Sequence, residues 1–152
     1  MQRKMILYTI GFSKKTAKHF FELLRKKGVK TLIDIRRNPH SQLSGFAKAK
    51  DLEFFIKELI NGKYIYLEIF APSEELIKNY RKKKITWQDY EQIFNGELEN
   101  KKEKITQLIK NIDFNKACLM CSEDKPDRCH RRLVAEFLKK EFFPNLKIEH
   151  LI

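Results

Sequence analysis

Short β-favouring apolar runs that alternate with helix-periodic stretches leave this chain few architectures. Met5 to Ile10, Val29 to Ile35, Tyr64 to Leu67, Asn115 to Cys121 and Leu146 to Leu151 read as strands. Between them, Ala17, Phe20, Phe21 and Leu24 share one helical face, as do Leu52, Phe55, Ile56 and Leu59. Leu133, Val134, Phe137 and Leu138 make a third apolar face before the last strand. This order predicts an α/β fold: a three-layer α/β/α sandwich over a mostly parallel sheet of about five strands. The first β-α-β crossover should be right-handed.

Local signals set the boundaries. Gly11-Phe12-Ser13 reads as a tight turn, with Ser13 or Thr16 capping the first helix and Lys26-Lys27-Gly28 closing it. Residues 42–49 read as a mobile loop, and Asn61-Gly62 ends the next helix, Asp51 to Ile60. Ser73 before Glu74 and Glu75 starts another, and Thr86 to Asp89 resembles a capping box. Trp87, Tyr90 and Phe94 then form a stripe read as core, and Leu98, Ile105, Leu108, Ile109 and Ile112 mark one further helix.

With 152 residues, the chain is expected to form a single domain over residues 1–152. No apolar run approaches the roughly 20 residues that span a bilayer, and the first residues carry no signal-peptide pattern, so no membrane partner and a cytoplasmic location are expected. Three cysteines do not suggest a disulfide framework. The net charge of +12 arises from 32 basic and 20 acidic side chains spread along the chain. It fits a nucleotide or nucleic-acid partner, and equally the charged surface of a thermophile protein.

Reactive residues gather where strands end. Ala117 to Cys121 runs into Ser122-Glu123, and Cys129-His130-Arg131-Arg132 opens a helix soon after. Open α/β sheets place ligands beyond the carboxyl ends of their strands. Alternation along the second strand puts Leu32, Asp34 and Arg36 on one face and Ile33 and Ile35 on the other; a buried Asp34 then needs a cationic partner. Cys118 and Cys121 spell C-x-x-C, but three apart on a strand they point to opposite faces, so no metal site is expected there. Six residues separate Cys121 from Arg128, with no glycine among them, which excludes the phosphate loop of cysteine phosphatases.

The stronger signal is anion binding. Arg131 near a helix start, with Arg36 and Arg37 from the second strand's end, would supply bidentate donors for phosphate. Gly11 and Ser13 would shape that pocket, Ser41 and Cys129 would add ligand-binding positions, and Asp34 and Glu123 would orient the arginines. Cys121 and His130 are the reactive candidates should the protein be an enzyme. The competing readings are a structural ion pair for Arg36 or Arg131, a non-catalytic nucleic-acid binder using its distributed charge, especially Arg81 to Lys84, and a protein-interaction module in which the edge cluster is only structural. His150 either reaches the same edge or lies on the surface.

Three segments, Tyr8 to Ser13, Asp34 to Ser41, and Leu119 to Glu123 continuing through Cys129-His130-Arg131, resemble domain-of-unknown-function family 488. Ala71 to Leu76, Tyr80, Trp87 and Tyr90 are similar to one branch of it. Phe12 stands where many members have histidine, and Ile69 to Pro72 replaces a glycine-rich turn. The resemblance implies a three-layer α/β domain and carries no established activity.

Overall fold

The computed structural model describes residues 4–152. Ile6–Gly11 (β1), Thr31–Asp34 (β2), Lys63–Tyr66 (β3), Ala117–Cys121 (β4) and Lys147–Leu151 (β5) form one sheet in the order β3-β2-β4-β1-β5. Every pairing is parallel. The helices are Ala17–Lys26 (α1), Ala49–Ile60 (α2), Glu74–Arg81 (α3), Trp87–Asn100 (α4), Lys102–Ile109 (α5) and His130–Glu141 (α6).

Strand pleating separates two cores. On one face Leu32, Cys118 and Met120 pack with Phe20, Phe21 and Leu24 of α1 and Leu52 and Ile56 of α2. On the other, Ile33, Ile35 and Leu119 meet residues of α3, α4, α5 and α6, including Phe94 and Leu133. This is the three-layer sandwich expected, with a sheet that is wholly parallel.

Most signals act where they were read. Thr16, rather than Ser13, caps α1 by accepting from the His19 amide, and Gly28 follows its end at φ 67°. Thr86 and Asp89 complete a capping box, and Ser73 accepts from the Leu76 amide. Tyr90 and Phe94 are core residues, with Trp87 stacked on Tyr90 at 4.7 Å.

Two readings change. Residues 42–49, read as a loop, hold a 3₁₀ helix at Gln42–Ala47 and the start of α2. Short-range bonds build it, Ser44 N–H to Ser41 O at 3.1 Å and Lys48 N–H to Gly45 O at 3.2 Å, while Gly45 at φ 55° takes up the kink. The helix read from Leu98 to Ile112 breaks at Lys101 (φ −101°, ψ 4°), so Leu98 closes α4 while Ile105 and Ile109 belong to α5.

Candidate functional site

The crossovers diverge at the carboxyl end of β4. The chain leaves β1 and β2 for α1 and α2 on one face, whereas β4 feeds α6 on the other. Such a switch in winding opens a crevice beyond the strand ends. The ladder between β1 and β4 continues past the strands, Phe12 N–H donating to Cys121 O at 3.3 Å and Ser13 N–H to Ser122 O at 3.0 Å. Between β2 and β4 the ladder extends to Ile35 N–H on Met120 O at 3.1 Å.

Asp34 and Arg36 occupy the β2 side. Asp34 is fully buried and accepts from Arg36 Nε at 2.8 Å, Arg36 Nη2 at 2.7 Å and Tyr64 Oη at 2.6 Å. Burial and the bond to Asp34 push the Tyr64 hydroxyl far above its ordinary value. The third guanidinium nitrogen of Arg36 reaches Ser44 Oγ at 3.4 Å, and Phe12 lies against its cation at 5.4 Å. Arg36 is thus enclosed, with each of its three guanidinium nitrogens bonded inside the protein. Arg37 ties down the segment after β3, donating to Pro72 O and Glu68 Oε1, both at 2.9 Å.

Arg131 occupies the β4 side, wholly enclosed. It donates to Thr9 Oγ1 at 3.3 Å, Cys121 Sγ at 3.1 Å, Asp124 O at 3.1 Å and the Glu123 carbonyl. Burial pushes its guanidinium down to about 10, still charged at neutral pH. The expectation that the Glu123 carboxylate orients an arginine is corrected: that side chain is exposed, and its backbone carbonyl does the work. Lys15 pairs with Asp124 at 3.0 Å, holds that carboxyl below its ordinary value, and clamps the β1 turn onto the β4–α6 loop.

Gly11 lies at the end of β1, against the Glu123 carbonyl. Ser13 and Ser41 hold the rim through their backbones, Ser13 N–H on Ser122 O and Ser41 O under the Ser44 amide.

Cys121, Cys129 and His130 meet at the centre. The odd cysteine count did not point to a disulfide, yet the Cys121 and Cys129 sulfurs lie in disulfide contact, with Cα atoms 7.6 Å apart. The β4–α6 loop folds back and brings the N-cap of α6 over the strand end. Cys118 faces the opposite core, where burial pushes its thiol up. His130 donates Nε2–H to Ile35 O at 2.7 Å and rests edge-on against Phe94 at 5.7 Å. Burial pushes its imidazole down to about 4, against the opposing effect of the Ile35 bond, so it is neutral at pH 7.

Sequence reading did not single out Thr9, Ser44, Tyr64 or Lys15 as site residues. Only Thr9, a polar residue inside an apolar run, carried a local signal. His150 does reach this edge: its Nδ1 takes the Thr9 hydroxyl at 2.6 Å. Burial and then Arg131 hold its imidazole below the ordinary value, with Arg132 acting alike and Glu136 and Asp127 opposing. A depressed histidine contributes stability that is complete above the unfolded value of about 6.5 and is lost as pH falls through it. Thermal melts should therefore fall more steeply from about pH 7 to 5 for the wild type than for His150→Gln. Parallel slopes would contradict this account.

An all-parallel doubly wound α/β domain with a polar, thiol-bearing cluster at its switch point is the class these features define. The family model for domain of unknown function DUF488 matches residues 16–138, and the chain belongs to that family. No curated protein and no solved structure matches the chain.

Proposed function

We propose that the crevice between the β2 and β4 ends binds a small phosphate-bearing ligand, a nucleotide or the end of a nucleic acid. One observation carries the reading. The α6 helix starts beyond the β4 end with no side chain bonding to its first turn, and the exposed Arg128 stands just before its N-cap residue, Cys129. Free amides and the positive helix end favour an anion, and an arginine adds bidentate donors. The net charge of +12 adds attraction at longer range.

Arg36 and Arg131 have a different role in this reading from the one expected of them. Each is enclosed and internally bonded, so they position the walls rather than grip the ligand. Replacing them would report on folding. The informative variant is Arg128→Glu, at an exposed position. A ligand at a hundred times its Kd stabilises the fold by about 2.7 kcal/mol. Thermal shifts with nucleotides, phosphosugars and short oligonucleotides at two salt concentrations should reveal one that Arg128→Glu loses.

A second reading rests on Arg81, Lys82, Lys83 and Lys84, four consecutive exposed cations. Shifts from oligonucleotides alone, steeply salt-dependent and intact in Arg128→Glu, would replace the crevice by that surface. No shift from any compound would reject both.

A further inference from the structure

The donor set at the crevice has a second chemistry, independent of phosphate. We propose that Cys121 Sγ, Cys129 Sγ and His130 Nδ1 form a binding site for zinc. The three donor atoms lie within 4.8 Å of one another. Both cysteines are enclosed, at 1% and 2% exposure, so the thiol pair is sheltered from bulk solvent. Thiolates with an imidazole are the ligands a borderline-soft d¹⁰ ion prefers.

The histidine is arranged as a ligand. The Ile35 carbonyl can only accept, so the 2.7 Å contact fixes the proton on Nε2. The lone pair is then on Nδ1, which lies 3.9 Å from Cys129 Sγ. Zinc–sulfur and zinc–nitrogen bonds of about 2.3 and 2.05 Å in a tetrahedron place sulfur and nitrogen about 3.6 Å apart. Ligating histidines commonly donate their other nitrogen to a carbonyl, as this one does. Arg131 Nη1, 3.1 Å from Cys121 Sγ, supplies a charge-assisted donor to a coordinated thiolate.

The backbone spacing also leaves room for an ion. Cysteines whose Cα atoms are more than about 7 Å apart need backbone movement to form a disulfide, and these stand at 7.6 Å. An ion between them requires the two sulfurs to part to about 3.8 Å in a tetrahedron. Each thiol gives up its proton on coordination. Three protein ligands leave a fourth tetrahedral position for water or another donor, the pattern of sites that keep an open position.

The test uses the full chain, reduced and stripped of metal. Zinc is titrated against a chromophoric chelator, and Co²⁺ serves as a spectroscopic probe of thiolate coordination. One Zn²⁺ per chain is expected, with cobalt showing thiolate charge-transfer absorption. Cys129→Ser and His130→Gln should each weaken zinc by more than about 100-fold, beyond what loss of an outer-shell partner does. Cys118→Ala, on the opposite face, should leave affinity unchanged. The cobalt spectrum of the wild type is decisive even if a variant fails to fold. Absence of thiolate absorption, zinc binding unchanged in folded Cys129→Ser, or a reduced protein that only oxidises to a Cys121–Cys129 disulfide would each overturn the site.

Discussion

Gly11→Ala is expected to destabilise the protein by about 4 kcal/mol, lowering Tm by roughly 8–16 °C in a chain of this size. A Cβ at Gly11 would sit 1.5 Å from the Glu123 carbonyl oxygen and 2.5 Å from its carbon, with Arg131 Nη1 at 2.8 Å. Backbone cannot swing aside as a flexible side-chain tip does. The β4–α6 loop must therefore retreat, and Glu123 O is one of the acceptors that hold the buried Arg131. Overpacking costs about 1–3 kcal/mol, and an enclosed cation short of an acceptor costs a similar amount again. Gly96→Ala is the control. It is an exposed site within α4 where an added methyl meets nothing within 4 Å, and a gain of about 0.5–1 kcal/mol is expected there. Urea denaturation of both variants checks the pair. A Gly11→Ala protein as stable as the wild type would show that the close approach of β1 to the Glu123 carbonyl carries no weight.

The parts of this molecule that could be read from sequence are those set by short-range chemistry. Thr86 and Asp89 make a capping box because both partners lie within one turn. Asp34 ends β2 and Arg36 follows two residues on, and the extended alternation read from sequence put both on one face, where they pair. The same alternation sets Cys118 and Cys121 on opposite faces of β4. What stayed hidden depends on sheet order. Tyr64 reaches Asp34 only because β3 pairs with β2 in a register that sets Tyr64 beside Leu32. His150 meets Thr9 because β5 pairs with β1, which places those two residues opposite each other. The thiol pair was missed for a related reason. Cys121 ends a strand and Cys129 takes the N-cap position of a helix eight residues later, and the loop between them sets whether they converge. Arg131 illustrates a different limit. Its sequence position near a helix start suggested an anion contact, yet backbone carbonyls of its own loop claim its donors.

Asp34→Asn should cost about 3–5 kcal/mol, because it leaves a buried arginine charge uncompensated. Arg36 is only 3% exposed, and both of its closest side-chain bonds end on Asp34. The amide that replaces the carboxylate can accept fewer bonds and carries no charge. Tyr64→Phe removes one neutral donor to the same carboxylate and should cost about 1 kcal/mol. The discriminating protein is the double variant Asp34→Leu/Arg36→Met, which removes both charges and restores apolar volume. Paired removal of buried ions is often close to neutral, whereas removal of one partner is not. Its stability should therefore recover most of the loss, short of the roughly 1 kcal/mol left by the orphaned Tyr64 hydroxyl. A double variant no more stable than Asp34→Asn would mean that the penalty lies in the shape of the β2 end and not in the stranded charge. Recovery would identify the pair as a rigid strut at the β2 end, its guanidinium held between Asp34, Ser44 and Phe12.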